Sequence, residues 1–86
     1  MMAGKYLRGS TKLNVMAFLL GEPERTVRSK NGTVSKIVGK ALDVNTNAVS
    51  PAFAELEKGG FVEKESRGRR TYRVTLTDAG VAELLE

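Results

Sequence analysis

The chain has 86 residues, enough for one small domain, and its 14 basic and 10 acidic side chains give a formal net charge of +4. It contains no cysteine and no histidine, which excludes a disulfide framework and removes the usual ligands and bases of zinc, iron and triad chemistry; no metal, cofactor or catalytic residue is expected. No apolar run approaches the roughly 18 residues of a membrane span, and Met1 to Arg8 lack the apolar core of a secretory signal, so a cytoplasmic protein is expected.

Met1 to Gly9 is short and basic without helical periodicity, and reads as a mobile or loosely docked arm ahead of one domain over 10–86. A first helix follows, capped by Ser10 or Thr11. Leu13, Met16, Ala17 and Leu20 fall at i, i+3, i+4 and i+7 as its buried stripe, and Gly21 with Pro23 just beyond stops it. Val15, Phe18 and Leu19 make this helix more apolar than one buried face requires, which predicts a second packing partner. Glu22 to Gly32 is polar, carries Arg25, Arg28 and Lys30, and ends in Asn31-Gly32, a pair suited to a type I′ turn; it reads as a small hairpin or a flexible basic loop.

Thr33-Val34 suits a short strand, after which Ser35 caps a second helix with Ile37, Val38, Ala41 and Leu42 on its apolar face. Gly39 within it costs up to about 1 kcal/mol against alanine, which predicts a close approach by a neighbouring backbone. Asp43-Val44 makes a turn and Asn45 caps a third helix, whose Val49, Ala52, Phe53 and Leu56 face inward. Gly59-Gly60 ends it. Phe61 to Glu65 and Thr71 to Leu76 read as two strands joined by an arginine- and glycine-rich turn, with Tyr72, Val74 and Leu76 alternating toward the core. Thr77 with Asp78 starts a last helix carrying Val81, Leu84 and Leu85. The predicted class is therefore α+β, a winged helix-turn-helix with a three-helix core, a β-hairpin wing and a short C-terminal helix.

If the third helix buries its apolar stripe, Asn45, Thr46, Asn47, Ser50, Pro51 and Ala54 form the face that enters a major groove. Asn47 suits adenine, Thr46 and Ser50 suit phosphates or base edges, and the small Ala54 permits close approach. Pro51 removes a backbone donor inside this helix and predicts a kink or local distortion costing about 3 kcal/mol. Arg67, Arg69 and Arg70 around Gly68 place permanent cations on a narrow tip suited to a minor groove, with Arg73, Thr71 and Thr75 continuing the surface on the outer face of the returning strand. Ser35, Lys36 and Lys40 at the second helix, with Arg28 and Lys30 before it, are candidate phosphate contacts. The same polar and basic residues also suit an ordinary solvated surface.

Four segments in this order carry a family resemblance: Thr33-Val34-Ser35, then Leu42 to Ser50, then Leu56-Glu57-Lys58-Gly59-Gly60-Phe61-Val62-Glu63-Lys64, then Arg70 to Gly80 with its Leu76-Thr77-Asp78-Ala79-Gly80 ending. The chain resembles winged-helix regulators of the MarR and PadR type over a little more than half its length. The resemblance implies that the third helix is the recognition helix, that Arg67 to Arg70 form the wing, and that the outer helices form a dimer interface.

The expected function is a homodimeric DNA-binding transcriptional regulator, a repressor occupying an operator on double-stranded DNA and associated with the nucleoid. No small-molecule effector pocket is expected in a chain of this length. The alternative from another class is a winged-helix module that binds protein or coats DNA architecturally, favoured by the surplus apolar residues of the first helix. An enzyme is not expected, because no nucleophile-base set or phosphate-binding glycine loop is present.

Overall fold

The computed structural model describes residues 11–85. The expected N-terminal arm, the alternative cap Ser10 and the final residue lie outside the described residues. The elements run α1 (Thr11–Leu20), a single 3-10 turn (Pro23–Arg25), β1 (Thr26–Arg28), α2 (Val34–Leu42), α3 (Thr46–Lys58), β2 (Val62–Arg67), β3 (Arg70–Leu76) and α4 (Asp78–Leu85). The strands form one antiparallel sheet in the order β1-β3-β2. Its inner face, with Val27, Val62, Val74 and Leu76, closes a core built from Val15, Met16 and Leu19 of α1, Val34 and Val38 of α2, Val49, Phe53 and Leu56 of α3, and Leu84 of α4.

The junctions around α3 follow from their residues. Asp43 adopts the left-handed conformation at φ 57°, and the Val44 amide donates to the Gly39 carbonyl at 2.9 Å. A Cβ on Gly39 would sit 3.0 Å from the Val44 carbonyl oxygen, so this glycine does permit the close backbone approach expected of it. Asn45 caps α3 by accepting from the Asn47 amide at 2.8 Å. At the other end the Phe61 amide donates to the Leu56 carbonyl and the Gly60 amide to that of Glu57, with Gly60 at φ 82°. This pair of bonds is a Schellman motif, and Phe61 packs against the core to which Leu56 belongs. Thr77 caps α4, accepting from the Gly80 amide at 3.0 Å.

The structure corrects several expectations. Thr33-Val34 is not a strand; Thr33 caps α2 by accepting from the Lys36 amide at 3.3 Å, and Ser35 lies inside the helix. The buried face of α1 is Val15, Met16 and Leu19, while Leu20 is 37% exposed, so two residues read as surplus belong to the core. On α2, Val38 is buried as expected, but Ile37 is 40% exposed and Ala41 is also outside; Val34, Ser35 and Gly39 are buried in their place. Neither Asn31 nor Gly32 has the positive φ a type I′ turn requires, and the Gly32 amide instead donates to Ser29 Oγ at 3.0 Å. The segment before it supplies β1, an edge strand on β3, in place of a separate hairpin.

Candidate nucleic-acid interface

Helix α3 buries Val49, Ala52, Phe53 and Leu56, as its periodicity predicts, and this fixes the opposite stripe. Asn47, Pro51, Ala54 and Lys58 recur at i, i+4, i+7 and i+11 along that stripe, and all four are exposed. Lys58 is a member the sequence reading missed, although the same count would have reached it. The Asn47 side chain has no hydrogen-bond partner among the described residues, so its amide is open to an external edge. Helix α3 is continuous from Thr46 to Lys58 through Pro51, so the proline does not end the helix. The proline ring lies on the exposed side, where the Asn47 carbonyl that lost its helical donor can turn to water.

Asn45 and Thr46 begin the helix, Asn45 committed to its cap and Thr46 half-buried in the turn beside Gly39. Ser50 flanks the stripe and donates to Ser35 Oγ at 3.1 Å. That bond joins α3 to α2, and Ser35 is only 6% exposed. Ser35 therefore serves the helix–helix contact from inside α2, as follows from the cap falling at Thr33. Lys36 and Lys40 are exposed and share one side of α2, with Ile37 beside them.

The wing is β2 and β3 joined by Gly68-Arg69, with Arg67 paired to Arg70 and Gly68 at φ 63° in the first turn position. A register shift at Glu65/Ser66 pairs Glu65 with Arg73 but Ser66 with Thr71, leaving Tyr72 as the extra residue of a bulge. The shift turns the tip relative to the rest of the sheet. Thr71 leaves the outer face expected for it, bonds Ser66 across the strands at 3.1 Å, and lines a crevice between wing and helices. Tyr72 lies outside the core cluster, half-buried, with the guanidinium carbons of Arg67 and Arg70 at 6.0 and 5.8 Å from its ring centroid.

The adjacent arginines of the tip have separate fates. Arg67 and Arg69 are exposed with no acidic partner, whereas Arg70 donates to three backbone carbonyls: Gly32 at 2.7 Å through Nε, and Ser29 and Lys30 at 2.8 and 2.6 Å through one terminal nitrogen. Its guanidinium thus clamps the 29–32 loop to the tip end of the wing, a set of internal hydrogen bonds that Arg67 and Arg69 lack. Replacing Arg70 with alanine is expected to lower stability by about 1–2 kcal/mol, with Arg70→Lys recovering only part, because an ammonium lacks the planar fork that spans separated carbonyls. Urea unfolding measures this; an unchanged midpoint for Arg70→Ala would show the clamp to be dispensable.

Arg28 and Arg73 face one another on the outer side of the sheet and are both ion-paired, Arg28 with Glu24 at 3.8 Å and Arg73 with Glu65 at 2.6 Å. Their charges are thus balanced within the sheet, unlike those of Arg67 and Arg69 at the wing tip. Lys12, Arg25 and Lys64 are also paired, with Glu55, Asp78 and Glu57. Among the described residues, the cations without an acidic or internal carbonyl partner are Lys30, Lys36, Lys40, Lys58, Arg67 and Arg69. These belong to the exposed side of α2, the outward stripe of α3, the loop and the wing tip. The crevice between helices and wing, about 230 Å³, is lined by Thr33, Ser35, Ser50, Phe53, Lys64, Arg69 and Thr71, so hydroxyls and cations meet there. Lys64 and Thr33 were not foreseen at this site and Thr71 was placed on the outer face of its strand, because only the bulge and the shifted cap bring the three together.

No family model matches the chain, and no curated protein matches it. Solved structures do. The chain is similar to the MarR-family transcriptional regulator Sco5413 of Streptomyces coelicolor, at 18% identity and TM-score 0.71 over 98% of this chain and 54% of that one. It is similar to YusO of Bacillus subtilis, at 16% identity and TM-score 0.70 over 98% of this chain and 55% of that one. It is similar also to Sco3205 of Streptomyces coelicolor, a MarR-family transcriptional regulator solved in complex with DNA, at 27% identity and TM-score 0.66 over 87% of this chain and 44% of that one. The fold is the MarR-type winged helix, and the chain spans about half the length of these structures. No helix among the described residues is long and apolar enough to cross a membrane.

Proposed function

We propose that the protein is a DNA-binding transcriptional regulator that places the outward stripe of α3 in a major groove and the tip of the wing, Arg67, Gly68 and Arg69, in the adjoining minor groove. The observation that carries this reading is the sorting of cations. Arg28 and Arg73 on the sheet's outer face are neutralised by carboxylates, as are Lys12 and Lys64 against α3, while Lys30, Lys36, Lys40, Lys58, Arg67 and Arg69, on the loop, α2, the outward stripe of α3 and the wing tip, are not. Structural likeness to a MarR-family regulator solved in complex with DNA supports the same reading. Lys36, Lys40 and Lys30 contact phosphates on either side of the recognition helix, and the hydroxyl-lined crevice lies where the backbone between the two grooves would pass.

The regulator acts as a repressor by occupying an operator, as a homodimer in the cytoplasm. Leu20 and Leu85, 37% and 60% exposed, leave apolar surface on the terminal helices for a second copy. Binding to a pool of random duplexes, followed by sequencing of the retained fraction, tests the whole reading. An enriched inverted repeat is expected, whereas retention without enrichment would favour an architectural coat and absence of retention a protein-binding module. If all six unpartnered cations release counterions, log K against log salt should fall with a slope of about −5 per protomer. A flat salt response would rule out the phosphate contacts.

A further inference from the structure

We propose that α3 reads thymine, with Pro51 and Ala54 packing on the C5-methyl groups of thymines beside an adenine held by Asn47; this rests on the placement of α3 in the major groove argued above. Between Asn47 and Lys58 the outward stripe offers only the Pro51 ring and the Ala54 methyl, both exposed. Neither side chain donates or accepts a hydrogen bond. Ser50, the nearest hydroxyl, flanks the stripe and is already bonded to Ser35.

The chemistry of the groove then decides which bases fit. Thymine alone among the four bases shows a methyl group in the major groove; guanine, cytosine and adenine present polar nitrogen and oxygen atoms there, and cytosine offers only a bare C5–H where thymine carries its methyl. Pressed against a proline ring, those polar atoms would lose water and gain no partner, whereas the thymine methyl gains a contact and leaves water. Asn47 to Ala54 spans about 10 Å of helix rise, or about three base pairs, so the adenine contact and the methyl contacts belong to one short stretch of the half-site. The helix is continuous through Pro51, so Asn47, Pro51 and Ala54 keep their helical spacing.

The test uses the full chain and the site enriched from random duplexes, with dT replaced by dU at each position of the half-site in turn. This removes only the methyl and leaves the minor-groove edge read by the wing unchanged. At one or two positions near the selected adenine, the dissociation constant is expected to rise about fourfold per methyl. Pro51→Ser, which restores the missing helix donor, is expected to stay folded, to bind the dT duplex about fourfold more weakly and to lose the dU penalty at the position that Pro51 covers. An enriched site with no further A·T pair within about three base pairs of that adenine, a dU duplex bound as tightly as the dT duplex, or a dU penalty undiminished in Pro51→Ser would overturn methyl reading with DNA binding intact. No binding to any duplex would remove the regulator reading together with this inference.

Discussion

Replacing Gly80 with alanine is expected to destabilise the fold by at least about 3 kcal/mol and to lower the thermal midpoint by about 10–20 °C. Gly80 is buried in the first turns of α4, where that helix crosses the start of β2. A Cβ there would run into the Phe61 carbonyl oxygen and the Leu76 Cδ1 atom. The Phe61 carbonyl is not free to retreat, since it accepts from the Thr77 amide at 3.0 Å, and Thr77 Oγ1 donates to the Gly60 carbonyl at 2.7 Å. The clash is therefore with backbone tied down on both sides, and α4 must lift as a unit, exposing Leu84. For a small domain whose whole stability is about 5–15 kcal/mol, such a loss is large. Gly60→Ala supplies the contrast: its φ is 82° but a Cβ there meets nothing within 4 Å, so the cost is confined to backbone strain of about 1–2 kcal/mol. Calorimetry of both variants decides the matter, and a Gly80→Ala midpoint at or above that of Gly60→Ala would show that α4 is not seated as described.

Helix α3 and the wing could be read from the sequence because each has a local signature. The period of Val49, Ala52, Phe53 and Leu56 fixes both faces of α3 at once, and Asn45 and Gly59-Gly60 mark its ends by cap chemistry alone. Helix α1 had no such signature. Almost every residue from Leu13 to Leu20 is apolar, so the choice of Val15 and Leu19 over Leu20 was made by what α2, α4 and the sheet press against. Strand β1 was equally hidden, since Thr26-Val27-Arg28 is too short to show alternation and its partner residues Arg73 to Thr75 lie far along the chain. The division of labour between Arg69 and Arg70 depends on neither composition nor spacing. Identical side chains one residue apart point into solvent or onto the 29–32 loop according to the turn and the bulge at Tyr72, which are properties of strand pairing. The same pairing set Arg73 against Glu65 and balanced its charge within the sheet.

That division predicts a difference between two double variants with the same change in charge. Arg67→Ala with Arg69→Ala, and Arg28→Ala with Arg73→Ala, each remove two positive charges from a formal net charge of +4. The first pair has no acidic partners, and its loss is expected to weaken binding to the selected duplex about 10- to 100-fold at moderate salt. The slope of log K against log salt should become shallower by about 2, with the thermal midpoint nearly unchanged. The second pair lies on the outer face of the sheet beside Glu24 and Glu65, and its loss is expected to change binding less than about threefold, with a small fall in stability from the broken cross-strand pair. Fluorescence anisotropy across a salt series measures both quantities for both proteins. Equal losses would mean that affinity follows net charge alone, and the wing tip would then have no special role. Unequal losses in the expected direction would tie affinity to the side of the molecule where α3 and the wing project together, because charge is matched and only its place in the fold differs.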